Sequence, residues 1–145
     1  MSDWPREQST KPQDQRKGVP VIKKKKNLVY VIDDDESVRR AFQLLFQSVD
    51  FDVQTFCSAE EFLETASPRD GSCIILDMRM PGMTGLDLQR ELIARKIGVP
   101  VIVVSAYDDE PTRQLSRELG AVAFFRKPVD DQALLDAIWF AISGH

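Results

Sequence analysis

Cys73-Ile74-Ile75-Leu76-Asp77-Met78-Arg79-Met80-Pro81-Gly82-Met83-Thr84-Gly85 is an aliphatic run that stops at an aspartate and gives way to proline and glycine. The pattern predicts a buried strand that delivers a carboxylate to a loop. Taken alone, Asp77 is better explained as a residue that starts a turn. The rest of the chain reverses that preference, because other aliphatic runs also end on polar groups. Residues 28–32 run into Asp33 and Asp34, and residues 101–104 run into Ser105. Polar residues recur at the same end of successive strands.

Outward from this stretch the chain alternates strand and helix. Residues 28–32 lead into a predicted helix over about 36–48, with Val38, Phe42, Leu45 and Val49 on one face. Residues 53–56 alternate in polarity, as a half-exposed edge strand does. Ser58-Ala59-Glu60-Glu61 is a capping box that starts a helix carrying Phe62, Leu63 and Ala66. A third helix over about 84–96 turns Leu88, Leu92 and Ile93 inward and is stopped by Gly98 and Pro100. After the strand 101–104, a short helix begins near Pro111, carries Leu115 and Leu119, and ends at Gly120. A strand over 122–125 and a helix with Leu134, Leu135, Ile138 and Ile142 complete the series.

Aliphatic strands separated by amphipathic helices imply a parallel sheet covered on both faces, because right-handed crossovers place helices above and below it. The expected class is a doubly wound α/β fold. Ligands of such sheets bind beyond the carboxyl ends of the strands, where strand order reverses. That rule gathers Asp33, Asp34, Asp77, Ser105 and Lys127, scattered in sequence, into one cleft.

With 145 residues and 43% apolar content, the chain suits one globular domain that buries its core without disulfides or structural metals. Its net charge of −4 is unevenly spread: residues 1–26 hold 8 Lys/Arg against 3 Asp/Glu, leaving 11 against 20 in residues 27–145. Residues 1–26 contain Pro5, Pro12, Gly18 and Pro20 without helical or strand period, and are expected to form a disordered basic tail. The lysines at 23–26 read as a solvated flank, since no aromatic residues are interleaved to favour nucleic acid. Residues 27–145 form the expected folded domain. Nothing near Met1 resembles a secretory signal, and no run is long enough to span a bilayer. Cys57 and Cys73 have no metal-ligand spacing and are expected to be reduced thiols without chemistry.

The expected cleft has a coherent chemistry. Clustered carboxylates raise one another's pKa unless a cation compensates. Oxygen-only donors without His or Cys select a hard divalent ion, and Mg²⁺ suits phosphate chemistry because it keeps waters and bridges phosphoryl oxygens. A neutralised aspartate can then attack a phosphoryl group, with Lys127 as a second positive charge and Ser105 as a hydroxyl donor. Singly, each residue has a plainer role: helix N-terminal acids, a turn serine, a surface lysine, a Lys-Pro loop break. Their joint occurrence at strand ends favours the cleft.

Val31-Ile32-Asp33-Asp34-Asp35, Leu76 through Gly85, Val103-Val104-Ser105-Ala106 and Phe124-Phe125-Arg126-Lys127-Pro128 together resemble the CheY-like receiver domain of bacterial two-component response regulators. The Arg-Met-Pro-Gly-Met segment is similar to the FixJ-type subgroup. The resemblance spans about residues 27–143 and implies a (βα)5 flavodoxin/CheY-like fold with five parallel strands in the order 2-1-3-4-5. It further implies that Asp77 is the phosphoacceptor, charged by a histidine kinase or a histidine phosphotransfer protein. Asp33, Asp34, Asp77 and the Arg79 backbone carbonyl would hold Mg²⁺. Lys127 and Ser105 would complete the reactive set, Ser105 and Phe124 would form the switch, and the Lys127–Pro128 bond would be cis.

The resemblance places Arg39 and Arg40 on the kinase-docking side. It places a homodimer on the face made by the fourth helix, fifth strand and fifth helix. A cytoplasmic location without membrane contact is implied as well. FixJ-type members usually end in a helix-turn-helix, and no DNA-binding domain is expected in this chain, which stops at His145.

A second class stays open. Asp33-Asp34-Asp35 fits the Asp-x-Asp opening of HAD-type phosphohydrolases, with Asp33 as nucleophile and Asp35 as general acid. That reading leaves the segment from Asp77 to Gly85 unexplained.

Overall fold

The computed structural model describes residues 26–107 and 109–143. Within them, β1 (Leu28–Ile32), α1 (Glu36–Ser48), β2 (Asp52–Phe56), α2 (Ala59–Thr65) and β3 (Ser72–Leu76) alternate along the chain. They are followed by α3 (Gly85–Ala94), β4 (Val101–Ser105), α4 (Glu110–Glu118), β5 (Ala121–Arg126) and α5 (Asp131–Ile142). All five strands are parallel, in the order β2-β1-β3-β4-β5. The expected doubly wound sheet and its strand order are therefore present.

The period of two along each central strand divides its side chains between two cores. Leu28, Tyr30 and Ile32 join Ile74, Leu76, Val101 and Val103 under α2 and α3. Val29 and Val31 join Cys73, Ile75, Ile102 and Val104 under α1 and α5. Every residue of β1, β3 and β4 is buried, as expected of strands covered on both faces. The edge strand β2 alternates exposed and half-buried positions before ending on buried Phe56.

Several sequence expectations need correction. In α1 the deepest side chain is Phe46, fully buried and stacked 5.5 Å from Phe42, although the sequence pattern drew attention to its neighbours. Ile93 is 55% exposed rather than inward, because the buried face of α3 is Gly85, Leu88, Gln89 and Leu92 and Ile93 lies one step round the helix. The same helix ends at Ala94, and the chain leaves it through Lys96 at φ 58°, ahead of Gly98. Ser58 does cap α2 by accepting from the Glu61 amide, but the Glu61 carboxylate reaches Cys57 N at 2.9 Å instead of closing the box on Ser58. A complete capping box occurs at Thr84 and Asp87, at the start of α3.

Residues 1–25 of the expected tail lie outside the described residues. Lys26 is described, and its ammonium lies 3.2 Å from Asp50 at the amino-terminal end of the sheet.

Candidate functional site

Strand register assembles the site. Ile32 pairs with Leu76 across β1 and β3, so Asp33 and Asp77 emerge side by side, about 5 Å apart in backbone spacing. Ladder hydrogen bonds run one residue further, from Asp33 N to Phe56 O at 3.1 Å and from Asp77 N to Ile32 O at 3.0 Å. Ser105 is the last residue of β4 and pairs with Arg126 of β5, which brings Lys127 to the same edge. Lys127 N donates to Ser105 O at 2.9 Å.

Carboxylate oxygens of Asp33, Asp34 and Asp77 lie within 4.8 Å of one another, the acidic cluster that the sequence pointed to. Its members are unequal. Asp33 and Asp77 are buried, whereas Asp34 is exposed. Asp33 is held at three points: Asp35 N donates to its Oδ1 at 2.9 Å, Lys127 Nζ to its Oδ2 at 2.8 Å, and Arg39 Nη1 to its carbonyl at 2.7 Å. Lys127 Nζ is 3.9 Å from Asp77 Oδ1. The lysine thus bonds Asp33 and faces Asp77 at longer range.

Burial pushes the Asp77 carboxyl up to about 6, and the Asp33 carboxylate adds to the rise. Lys127, the Ser105 hydroxyl and the Arg79 amide oppose it. Like-charge repulsion, which the clustering of aspartates suggested as the main cause, comes second to desolvation. Ser105 is fully buried, and its Oγ accepts from Tyr107 N at 3.2 Å. Phe124 is half-buried against the core, with the Arg113 guanidinium 4.8 Å above its ring. The Lys127–Pro128 bond is cis.

Asp35 stands apart from the cluster. Its Oδ1 accepts from Ser37 N at 2.9 Å and Ser37 Oγ at 2.7 Å as the N-cap of α1, which holds its carboxyl below the usual carboxylate range. Engaged as a helix cap outside the acidic cluster, Asp35 gives no support to the general-acid role in the hydrolase reading. Cys73 is buried, and burial pushes its thiol up to about 12, in keeping with an inert core cysteine.

Four contacts near the site were not anticipated. Arg39 bonds the Asp33 carbonyl instead of projecting freely from α1, and Arg40 pairs with Glu36 at 3.0 Å. Glu60 Oε2 accepts from Met83 N at 2.9 Å, latching α2 to the loop after Asp77. Gly82 at φ 74° lets that loop turn. At Gly85 a Cβ would fall 2.6 Å from the Asp77 carbonyl, so only glycine fits. Finally, the Arg79 guanidinium lies 3.6 Å from the Tyr107 ring centroid, joining the loops that follow β3 and β4. Sequence spacing gives no signal for Glu60 and Met83, which are 23 residues apart.

Comparison with known proteins fits this geometry. Residues 29–139 match the response regulator receiver domain family. Nodulation protein W of Bradyrhizobium diazoefficiens is 43% identical over 113 residues, covering 78% of this chain and 50% of that protein. The transcriptional regulatory protein FixJ of Azorhizobium caulinodans is 42% identical over 110 residues, covering 76% of this chain and 52% of that protein. The crystal structure of FixJ-N superposes with a TM-score of 0.76 at 33% identity, over 84% of this chain and 98% of that one. The chain belongs to the response regulator receiver domains, the receiving modules of two-component signalling. It spans about half the length of the curated relatives it matches.

Proposed function

We propose that Asp77 accepts a phosphoryl group from a phosphohistidine of a histidine kinase or histidine phosphotransfer protein. The observation that carries this is the buried Asp77 carboxyl set between Asp33, Lys127 and Ser105 at the carboxyl edge of the sheet. An Asp77 carboxylate oxygen attacks phosphorus, the P–N bond breaks, and the imidazole leaves with the bonding pair and takes a proton. Lys127 then faces the transferred oxygens, and the Ser105 hydroxyl donates to one of them. Family membership and the geometry support these roles together.

The donor set fits Mg²⁺. Three carboxylates without nitrogen or sulfur donors suit a hard cation, and Asp34, exposed at the mouth, gives it a solvent-facing ligand. Asp33, Asp34, Asp77 and the Arg79 backbone carbonyl would hold the ion, which supplies positive charge against the phosphoryl oxygens. Beside the site lies an apolar groove of about 460 Å³ whose walls include Val38, Ala41, Leu45, Pro128 and Val129. A helix of the phosphodonor protein is the proposed occupant of this groove.

Phosphorylation adds charge beside Ser105. Drawing the hydroxyl toward Asp77 vacates space that Phe124 enters, changing the α4-β5-α5 face on which a homodimer would form. A cytoplasmic site of action follows from such a partner, and no helix of the described residues is long and apolar enough to cross a membrane. Residues 1–26 act as a basic tail outside the receiver proper, residues 27–145.

Intact-mass analysis after incubation with Mg²⁺ and acetyl phosphate tests the assignment. One phosphoryl group should be gained, lost in Asp77→Asn and kept in Asp35→Asn. Labelling that survives Asp77→Asn but not Asp33→Asn, with steady hydrolysis of phosphoesters, would return the hydrolase reading.

A further inference from the structure

The loop between β3 and α3 closes on itself beside Asp77. Gly85 N donates to Met78 O at 3.1 Å, and a Cβ on Gly85 would fall 2.6 Å from the Asp77 carbonyl and 2.9 Å from Met78 Cα. The first residue of α3 therefore rests directly on the Asp77–Met78 peptide. A displacement of residues 83–85 is passed on to the backbone of Asp77 and of the Arg79 segment between them.

Most of what holds this loop comes from the core or from α3 itself. Met78 and Met80 are buried in the core, and Thr84 caps α3 in a closed box with Asp87. Glu60 is the contribution from α2. Its Oε2 accepts from Met83 N at 2.9 Å, and Gly82, at φ 74°, has no Cβ to exclude a carboxylate that would lie 2.6 Å from it. The platform that carries Glu60 is itself fixed, since Ser58 caps α2 and the neighbouring Glu61 is engaged at Cys57 N. The plain role of the contact is to satisfy one amide. That amide is at an exposed contact, however, where water serves as acceptor at little cost. Water does not fix a position, whereas a carboxylate held on a capped helix does.

We propose that Glu60 is a positioning residue for the acidic site. By holding Met83 from α2 it sets the loop so that the Arg79 carbonyl and the Asp77 carboxylate are presented together. This role rests on the reading of Asp33, Asp34, Asp77 and the Arg79 carbonyl as Mg²⁺ ligands. Contacts that orient ligands from outside typically change metal affinity by about 10- to 100-fold, and a contact acting through residues 83–85 should fall below that range.

Glu60→Ala and Glu60→Gln in the full chain test the proposal. Alanine removes the acceptor, whereas glutamine keeps an oxygen for Met83 N and removes only the charge. Glu60 is exposed, and alanine and glutamine are good helix formers, so both variants keep α2. Two quantities are measured: hydrogen exchange of the Met83 amide in metal-free protein, and Mg²⁺ affinity by calorimetric titration. Glu60→Ala should speed that exchange about tenfold and weaken Mg²⁺ binding about fivefold, with Glu60→Gln close to the parent in both. The proposal is overturned if Glu60→Ala leaves either quantity at the parent value. It is overturned equally if Glu60→Gln loses as much Mg²⁺ affinity as Glu60→Ala, because Glu60 would then act as a source of negative field and not as a latch. A parent chain that binds no Mg²⁺ refutes the metal reading and this role with it, whereas a parent and an alanine variant that bind it equally refute this role alone.

Discussion

At the carboxyl ends of β1, β3 and β4 the sheet carries Asp33, Asp77 and Ser105, all buried, whereas the amino ends of β4 and β5 border an apolar hollow rimmed by exposed Ile93, Val122 and Phe140. The first region buries charge and compensates it through one cation, Lys127, bonded to Asp33. The second exposes hydrocarbon and leaves Gln89 Oε1 unpaired. Both depart from the ordinary sorting of polar and apolar groups, in opposite directions. Departures of this kind set the two ends of the sheet apart from the strands between them, which are conventionally packed. Perturbing the charged end should therefore alter stability through electrostatics, and the effects should fade as substitutions move away from it.

The largest effect is expected at Lys127. Its ammonium bonds buried Asp33 and faces buried Asp77, so Lys127→Met leaves two carboxylates without compensation. Breaking a buried ion pair by removing one partner predicts a loss of about 3 kcal/mol at pH 7 in urea unfolding. Added Mg²⁺ should recover part of the loss, because a ligand that binds only the folded state stabilises it. A variant as stable as the parent without the metal would show that Lys127 does not neutralise the site.

Asp77→Asn should move stability the other way. The folded-state pKa of about 6 lies above the ordinary 3.8, so the folded protein holds this proton more tightly than the unfolded chain. Stability therefore falls as pH rises between about 4 and 6, and at neutral pH the ionised carboxylate costs the fold about 2 to 3 kcal/mol. Removing the ionisation should raise stability by that amount at pH 7 and by little near pH 4. Thermal melts at both pH values decide, since an equal gain at each would point to packing and not to charge.

This asymmetry explains what could be read in advance. Asp33, Asp77, Ser105 and Lys127 were legible because a strand that ends on a polar residue announces its exit point, and parallel register carries every such point to one edge. The (βα)5 alternation was legible from the change of hydrophobic period, and the strand order from the family resemblance. Asp34 and Asp33 are adjacent acids in the sequence, yet one is exposed and one buried, a difference set by the backbone turn into α1. The Arg39 bond to Asp33, the Glu60 latch on Met83 and the Gln89 link to Ser116 depend on how helices seat on the sheet, which local pattern does not encode. Phe46 was passed over and Ile93 misplaced, because a shift of one residue around a helix is enough to exchange core for solvent.

A smaller effect is expected over the mouth of the charged end. The Arg79–Tyr107 stack bridges the two loops that flank Asp77 and Ser105, and under the proposed phosphoacceptor role it would hinder the approach of water to the phosphoryl group. Both side chains are bulky and exposed, so slow turnover of phosphorylated Asp77 is expected. Losing a stacked cation should speed decay about two- to fivefold in Arg79→Ala or Tyr107→Ala. Because either change alone dissolves the stack, the double variant should decay no faster than the quicker single one. Phosphate release after removal of the donor measures this, and unchanged decay in both single variants would refute it.

The smallest effect belongs to removal of residues 1–26. Lys26 precedes β1 and therefore lies at the amino end of the sheet, about 16 Å from Asp33 for a strand of this length. Its ammonium is directed to Asp50 at 3.2 Å, and its carbonyl accepts from Arg69 at 3.0 Å, both contacts at that far end. The Lys26–Asp50 pair is exposed on both sides, and pairs of that kind contribute at most about 1 kcal/mol. At physiological ionic strength, lysine charge 16 Å away is also screened over a Debye length of about 8 Å. Truncation should therefore leave Mg²⁺ affinity and the rate of acetyl phosphate labelling within error of the full chain, with only a slight loss of stability. Calorimetric titration and time-resolved intact mass measure the two quantities, and a severalfold drop in either would mean that the basic segment reaches the acidic site.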